Sequence, residues 1–354
     1  MSSESILREV RELPAAIRAT LKETRPSAVG AASAIRERSP RRVYVIGNGT
    51  SFYSALAASY TARALASPED PSVLAMMAGD FRYFTPALGA GDTVVGVTAS
   101  GEFRDVLAAF EQLEGRCLRI GITHVPGSSI TRLADATLIG GGGPSRVPVT
   151  TKTYASTLTA AHLLMLELFS ASGDYFADLE ASADRATAAI SEAERLVRDL
   201  VPELSEFEHA FCFGAGNGYA TALEGALKMK EMPLLHAEGS ETWEMASGPS
   251  TMVDERALCI ALYTGSEGDE STAAVARHAK DWGARVIDVG PDAPAGDLHL
   301  PVAIPEKEAF ASLALVAPLY LLAYRIARAR GIDPENPHWR ERYHAQGMTH
   351  IVGG

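Results

Sequence analysis

The sequence is poor in cysteine, and its three cysteines do not form a close pair. Cys117, Cys212 and Cys259 each lie inside an apolar, strand-like run of the 354-residue chain. An odd number without a Cys-x-x-Cys spacing offers neither a disulfide framework nor a metal site. Buried thiols are typical of proteins from a reducing cytosol. We therefore predict a cytoplasmic protein with no metal and no cofactor.

Positive charge is also scarce. The chain has 32 Lys and Arg against 44 Asp and Glu, a formal net charge of −12. Because duplex binding needs a basic face to replace counterions, this balance argues against nucleic acid as a partner. An anionic ligand must instead be captured by local dipoles and a few cations, since the overall field repels it.

No apolar run reaches the length of a membrane span. The longest, residues 310–324, is interrupted by Pro318, and a span needs roughly 20 residues. The first residues, MSSESILREVRELP, carry charges and lack the apolar centre of a signal peptide. We expect no membrane partner and read the apolar run as a buried or interface helix.

An internal repeat is the most informative feature of the sequence. The segment RVYVIGNGTS at Arg42 returns as HAFCFGAGNG at His209, and Thr98 of VVGVTASGE returns as Thr264 of CIALYTGSE. The run CLRIGIT at Cys117 is matched by ARVIDVG at the same spacing. Three strand-and-loop segments at one spacing indicate two copies of one domain.

Within each copy, short apolar runs alternate with helical patterns and end in polar, glycine-containing loops. Continuous apolar strands between helices predict an α/β fold with a parallel sheet covered on both faces. In such sheets ligands bind beyond the carboxyl ends of the strands. The predicted segments are a helical leader (1–38), a first domain (39–174), a helical linker (175–201), a second domain (202–332) and a tail (333–354).

Two loops of the first copy have the composition of an anion-binding site. Residues 47–51 (GNGTS) and 98–102 (TASGE) each stand between a strand and a helix. Glycines permit tight turns, and a helix start offers unpaired N–H groups with a partial positive charge. Hydroxyl groups add directional donors, so together the loops predict a phosphate cradle without lysine. Alternatively, these Ser and Thr residues are ordinary helix caps.

Longer motifs resemble the sugar isomerase (SIS) superfamily. They include TTKTYASTLT in the first copy and FGAGNGYATALEGALKMKEMPLLHAEGSETWEMASGP in the second, and the likeness extends from about residue 40 to 335. The strongest resemblance is to the isomerase half of glutamine–fructose-6-phosphate amidotransferase, together with ketose/aldose isomerases, deaminases and deglycases. It implies two tandem SIS domains, each an α/β/α sandwich. No glutaminase domain precedes the motifs, so we expect no glutamine-dependent amidotransferase activity.

The resemblance assigns roles to the first-copy loops. It implies that Ser51, Thr98 and Ser100 hold the phosphate, with backbone contacts from Gly49 and Thr50. Asn48 belongs to the same loop and is predicted to bind the substrate with it.

Further along, the family's Gln and Thr are replaced by Ala99 and Phe103. Two explanations for the missing donors are open. Either Arg104 supplies a charged donor in their place, or the anion is not a simple phosphate. Thr150 matches the family's sugar-contacting serine.

The resemblance also places the chemistry. Glu231 stands at the family's catalytic glutamate, which moves a proton between C1 and C2. Lys228 precedes it by three residues and shares its helix face. Isomerisation through an enediol needs a carboxylate base and a cation for the developing oxyanion. The alternative is an exposed salt bridge alongside Glu224.

The chain departs from the family at its ring-opening histidine. That His-Gly-Pro motif begins with Ser247 here, and serine is a poor proton shuttle. Either Ser247 only contacts an open-chain substrate or another acid/base acts. The candidates are His236, Glu238, Glu241, Glu244, His344 and His350.

The tail departs from the family as well. No lysine follows Lys307, so the family's Schiff-base route is not expected. The tail residues, rich in Arg, His and aromatics, have the composition of a lid or of a disordered end.

Two functions remain open at this point. The first is a phosphosugar isomerase, deaminase or deglycase with a glutamate base. The second is a non-catalytic or weakly catalytic protein that senses a sugar phosphate. For either we expect a small anionic sugar as ligand and a homodimer with shared active sites.

Overall fold

Two parallel β-sheets of five strands each form the framework of the computed structural model. It describes residues 4–339, with the backbone alone at 199–202. His344 and His350 therefore lie outside the described residues, as does most of the predicted tail.

The first sheet is built from the first half of the chain, in the order β2-β1-β3-β4-β5 with every neighbouring pair parallel. Its strands are β1 (Arg42–Gly47), β2 (Ser72–Met77), β3 (Thr93–Val97), β4 (Leu118–Thr123) and β5 (Ala136–Ile139). The central strands β1, β3 and β4 are almost wholly buried. This agrees with their continuous apolar sequence.

The helices that accompany this sheet follow the predicted alternation. They are α2 (Leu13–Glu37), α3 (Thr50–Leu65), α4 (Ala78–Tyr83), α5 (Arg104–Gln112), α6 (Ser129–Leu133) and α7 (Lys152–Leu168). Tyr44 of β1 packs against Phe81 of α4, with ring centroids 5.5 Å apart. Phe110 of α5 completes this cluster at zero exposure. Gly96 of β3 is required beneath it, because a Cβ there would lie 2.5 Å from the Phe110 ring.

The second sheet repeats the first, in the order β10-β9-β8-β6-β7. Its strands are β6 (His209–Gly214), β7 (His236–Glu241), β8 (Ala257–Leu262), β9 (Arg285–Gly290) and β10 (Leu298–Pro301). The helices of this half are α1 (Ser5–Arg11), α8 (Gly173–Leu204), α9 (Asn217–Glu231), α10 (Thr242–Ser247), α11 (Gly268–Asp281) and α12 (Ser312–Ala329). Short 3₁₀ turns cover Pro249–Met252 and Glu308–Phe310. The fold class predicted from the repeat is confirmed.

The long apolar run forms a core helix. The run is longer than the sequence pattern predicted: the stretch Glu308–Ala329 is long and apolar enough to cross a membrane, but 94% of its most apolar window is buried inside the structure. Pro318 lies within α12. Gly225 of α9 packs closely on this helix, because a Cβ there would lie 2.8 Å from Leu319.

Both sheets have the same switch in strand order. Counted from its own first strand, each sheet reads 2-1-3-4-5, so the chain reverses direction across the sheet between strands one and three. Ligands of open α/β sheets bind in the crevice at this point, outside the carboxyl ends of the strands. The switch falls between β1 and β3 in the first sheet and between β6 and β8 in the second.

Two compact units divide the described residues. The first-copy unit comprises residues 15–146, 152–180 and 338–339. The second-copy unit comprises residues 4–14, 147–151 and 181–337. The leader and linker regions are helical, as α1, α2 and α8 show, while the predicted domain boundaries stay predictions.

All three cysteines are free and buried. Burial raises the pKa of the Cys117 thiol to about 11. It raises the pKa of Cys212 and of Cys259 to about 12. The thiols are therefore protonated core groups, in agreement with the prediction.

Candidate active site

The two hydroxyl-bearing loops of the first copy lie side by side. One follows β1 and the other follows β3, and these strands are hydrogen-bonded neighbours. Gly49 has φ +51° and begins the turn into α3. Gly47 must also be glycine, because a Cβ there would lie 2.8 Å from the backbone of Ser51. We call residues 48–51 and 98–102 the anion cradle.

The hydroxyl groups of the anion cradle are not used as helix caps. The N-cap residues of α3 and α5 are Gly49 and Phe103, and neither helix start has a side-chain cap. Thr98 is buried at 2% exposure, and the exposed Ser100 accepts a hydrogen bond from the Glu102 N–H at 3.1 Å. The helix-cap alternative therefore does not explain these residues.

Asn48 holds the anion cradle in place from behind. Its Oδ1 accepts a hydrogen bond from the Ala78 N–H at 3.1 Å, and its Nδ2 lies 3.5 Å from Asp105. Asp105 in turn pairs with Arg82 at 2.9 Å. Sequence reasoning did not find Asp105 or Arg82, because only the fold brings the ends of α4 and α5 together.

A second brace holds the loop after β3. Gly101 has φ +75°, and a Cβ there would lie 2.0 Å from Ser128 Oγ. Glu102 accepts a hydrogen bond from the Ser129 N–H at 2.8 Å, and the hydrogen bonds from Ser129 lower the pKa of this carboxyl. Ser128 and Ser129 follow the loop by 26 residues or more, so only the fold brings them against Gly101 and Glu102.

The remaining predicted ligands of the phosphate lie at different places. Arg104 is the exposed first residue of α5 and has no ion-pair partner among the described residues. Thr150 belongs to the second-copy unit, where its neighbour Thr151 donates a hydrogen bond to Glu9 at 3.3 Å.

In the second-copy unit, Lys228 lies between two carboxylates near the end of α9. Its Nζ is 2.5 Å from Glu231 Oε2 and 3.4 Å from Glu224 Oε1. Tyr320 of α12 donates a hydrogen bond to Glu224 at 2.9 Å. The side chains of Lys228 and Glu224 are wholly buried, whereas Glu231 keeps 27% exposure. We call these four residues the α9 cluster.

The charge state of Lys228 follows from its neighbours. Burial by itself lowers the pKa of Lys228, but the attraction of Glu224 and Glu231 outweighs it and raises that pKa overall. Lys228 is thus an ammonium ion that donates hydrogen bonds and cannot act as a base. Since Lys228 is fully buried, the alternative of an exposed salt bridge is wrong.

Helix α9 carries Glu231 away from the loop after β6. It begins at Asn217, just beyond the carboxyl end of β6, and its 15 residues extend about 22 Å. Glu231 therefore lies toward the amino end of the sheet. His236 is exposed at the amino end of β7, with its ring 5.8 Å from that of His209. His236 and Glu231 share this edge.

Ser247 lies at the opposite edge. It is the exposed last residue of α10, which follows the carboxyl end of β7, and its hydroxyl donates to the Trp243 carbonyl at 2.7 Å. A strand of six residues spans roughly 20 Å, so Ser247 and Glu231 of one chain are not brought together. His344 lies outside the described residues. Within residues 4–339 no three His, Cys, Asp or Glu side chains form a group that fits a metal ion.

Comparison with known proteins identifies the family. A family model described as the SIS domain matches residues 38–167 and again 203–314. The two segments correspond to the two sheets. The chain belongs to the SIS domain family.

Relatives of known name are similar over almost the whole chain. It is 34% identical over 352 residues to a glutamine–fructose-6-phosphate aminotransferase (isomerizing) of Gloeobacter violaceus, covering 94% of this chain and 57% of the relative. The enzyme of the same name from Methanothermobacter thermautotrophicus is 30% identical, with 94% and 56% covered. The chain thus spans little more than half the length of these relatives.

Solved SIS structures share the fold. The C-terminal domain of glucosamine-fructose-6-phosphate aminotransferase from Francisella tularensis matches with a TM-score of 0.83 at 23% identity, covering 95% of this chain and 98% of that one. Glucosamine-6-phosphate deaminase from Thermotoga maritima matches at 0.78 and 21%, with 95% and 98% covered. Tagatose-6-phosphate ketose/aldose isomerase from Escherichia coli matches at 0.75 and 18%, with 94% and 96% covered.

Proposed function

We propose that this SIS protein is an enzyme that isomerises a phosphorylated sugar, or deaminates or deglycates an amino-sugar phosphate. The reaction passes through an enediol or enolamine with Glu231 as base. The observation that carries the proposal is the α9 cluster, in which a partly exposed carboxylate is held by a buried ammonium ion. The names of the relatives, which state fructose 6-phosphate and isomerisation, support the substrate class.

The anion cradle binds the phosphate in this proposal. Backbone N–H groups at the start of α3 and the hydroxyls of Ser51, Thr98 and Ser100 are its donors, and the exposed Arg104 supplies positive charge. Thr150 contacts the sugar. Asn48, which is bonded to Ala78 and Asp105, holds the loop open without touching the anion.

Glu231 takes the proton from the carbon next to the carbonyl and returns it to the neighbouring carbon. Carboxylates aimed in this way contribute roughly 10²- to 10⁴-fold to a rate. Sequence reasoning made Lys228 the cation that stabilises the oxyanion. Its complete burial between Glu224 and Glu231 favours a positioning role instead, in which it fixes the orientation of Glu231.

Ring opening has three candidate groups under this proposal. His236 lies on the same edge of the sheet as Glu231, and an imidazole has the chemistry of a general acid or base. Ser247 lies on the other edge of the sheet. In a homodimer with shared active sites, it therefore acts at the active site of the partner subunit. His344 of the tail keeps its predicted role as an alternative acid or base. We place this homodimer in the cytoplasm.

Solvent deuterium exchange tests the reaction. Wild-type protein should introduce deuterium at C1 or C2 of a sugar phosphate from a panel of ketose, aldose and amino-sugar phosphates. Glu231→Gln should not, while Glu270→Gln, an exposed carboxylate on α11, should behave as wild type. A sedimentation measurement that finds a monomer at micromolar concentration would contradict the shared-site dimer.

A sensor without turnover is the second candidate. It is favoured by Ser247, whose hydroxyl is bonded within its own helix, and by Ala99 and Phe103 in place of two donors. Binding of sugar phosphates without deuterium exchange on any of the panel would establish it.

A further inference from the structure

The second-copy unit has a loop pair built like the anion cradle. The loops after β6 and β8 meet at the switch in strand order, as those after β1 and β3 do in the first unit. Gly216 has φ +52° and ψ −124° at the start of α9, and Gly49 has φ +51° and ψ −130° at the start of α3. The two helix starts therefore present their N–H groups in the same way. We call residues 214–217 and 264–267 the second cradle.

A carboxylate of the chain itself occupies the second cradle. Glu308 Oε1 lies 3.2 Å from Thr264 Oγ1, and the carboxylate also accepts a hydrogen bond from the Asn217 N–H. A Cβ on Gly216 would lie 2.7 Å from the same oxygen. Glu308 thus receives a backbone donor of one loop and a hydroxyl donor of the other, as a bound anion would.

The other backbone donors of the second cradle are also used within the chain. Asp269 accepts hydrogen bonds from the Thr264 and Gly265 N–H groups at 3.0 and 2.8 Å, so other loop donors are also satisfied by a carboxylate. Asn217, whose N–H donates to Glu308, is itself only 4% exposed. The environment is dry enough that burial raises the pKa of Glu308, against the opposing hydrogen bonds.

The anion cradle of the first-copy unit, which we also call the first cradle, has different contacts. Neither Ser51 nor Thr98 gives a side-chain hydrogen bond to any carboxylate of residues 4–339, and Arg104 stands at its rim.

We propose that Glu308 is an internal anion that fills the second cradle in the place where the first cradle takes an external one. The comparison with the first cradle rests on the proposed function. It follows that removing this side chain opens a new site for a small oxyanion, a carboxylate or a phosphate. It follows also that Glu308 holds the start of α9, the helix whose other end carries Lys228 and Glu231.

The test compares Glu308→Ala with Glu308→Gln, in the wild-type background and in Ser51→Ala/Thr98→Val, which weakens the first cradle. Melting temperatures are measured in sodium formate, inorganic phosphate and sodium chloride at equal ionic strength, with formamide as the neutral analogue of formate. Glu306→Ala, an exposed carboxylate two residues away, is the matched control.

In the Ser51→Ala/Thr98→Val background, Glu308→Ala should gain several degrees with formate or phosphate over chloride, and formamide should give nothing. Glu308→Gln and Glu306→Ala should show no such gain, because the second cradle stays filled. The proposal is overturned if folded Glu308→Ala responds to neither anion. If Glu308→Ala folds only when it is refolded in formate or phosphate, the proposal is supported. If Glu308→Ala fails to fold with either anion present, the proposal is overturned.

The two proposals fail separately in this design. If the first cradle binds no anion, Ser51→Ala/Thr98→Val leaves the phosphate response of wild-type protein unchanged, yet Glu308→Ala still adds a response. If only the internal-anion proposal fails, the wild-type response disappears with the first cradle and Glu308→Ala adds none.

Discussion

The ammonium group of Lys228 lies 2.5 Å from the carboxylate of Glu231, one helical turn away on α9, and nothing of the lysine side chain reaches solvent. Glu224 is its second partner and is equally buried. The buried ammonium group therefore pairs with two carboxylates, of which Glu224 is buried and Glu231 is partly exposed to solvent. Their different exposure predicts different consequences for stability and for activity.

Lys228→Met should unfold the protein far more easily. It leaves the buried Glu224 without the ammonium ion beside it, although the Tyr320 hydroxyl still donates to it, and breaking a buried ion pair on one side costs about 3–5 kcal/mol. Urea denaturation measures this loss. Lys230→Met, an exposed lysine on the same helix, should change the free energy of unfolding by less than about 0.5 kcal/mol. Equal stability of the two variants would contradict the buried pair.

Glu231→Gln should separate activity from stability. Glu224 still compensates the charge of Lys228, so the free energy of unfolding should change by about 1 kcal/mol or less. Deuterium exchange into the sugar should fall by roughly 10²- to 10⁴-fold. Full activity in Glu231→Gln would remove this residue from the mechanism, with Glu270→Gln as the control for loss of an exposed helical carboxylate.

The framework of this fold could be predicted from local sequence. Apolar runs such as Val43–Ile46 end in glycine loops, and their repetition defined two parallel sheets and the meeting of two hydroxyl loops. These are signals of short range, since a strand and its closing turn are encoded together.

The α9 cluster and the second cradle could not be predicted in the same way. Tyr320 meets Glu224 across 96 residues, and Glu308 meets Thr264 across 44. A lysine within a charged helical segment favours an exposed salt bridge by composition alone. Only the packing of α12 over α9 shows that Lys228 is buried.

Gly101→Ala should damage the anion cradle beyond ordinary backbone strain. The residue has φ +75°, and the new Cβ would collide with Ser128 Oγ at 2.0 Å. Gly127→Ala is the matched control, because it has φ +77° but open space around it. Strain alone costs about 1–2 kcal/mol. Gly101→Ala should lose more stability than Gly127→Ala, and at least tenfold in affinity for a sugar phosphate by calorimetry, whereas equal affinities would show that the loop does not bind the anion.

Two buried histidines should make the protein sensitive to acid. Burial lowers the pKa of His162 to about 3 and that of His124 to about 4, against about 6.5 in the unfolded chain. Between pH 6.5 and these values the unfolded state binds more protons. Stability is therefore full above pH 6.5 and falls with acidification, by up to about 1.4 kcal/mol per pH unit for each histidine.

His124→Gln isolates one of these contributions. The amide can keep a hydrogen bond to the Thr157 hydroxyl, which lies 2.7 Å from His124 Nε2, but it does not titrate. Urea midpoints measured from pH 7.5 to 4.5 should fall less steeply than in wild-type protein. His278→Gln, at an exposed position on α11, should leave the slope unchanged. An unaltered slope in His124→Gln would show that this ring binds protons equally in the folded and the unfolded state.

Ser247→His should test whether proton transfer to the sugar ring limits turnover. The position is exposed at the end of α10, so an imidazole can be placed there at the loss of one hydrogen bond to Trp243, worth about 1 kcal/mol. The substitution restores the family's His-Gly-Pro motif, which ends at Pro249, and supplies an imidazole that titrates near pH 6.5. We expect kcat/KM for ring-closed sugar phosphates to rise tenfold or more, with a new inflection in its pH profile near that pH.

Open-chain analogues should show no change in kcat/KM, and Ser247→Gln should show neither effect. If Ser247→His leaves the ring-closed substrates unaffected, ring opening is carried by another group, of which His236 is the candidate on the edge shared with Glu231.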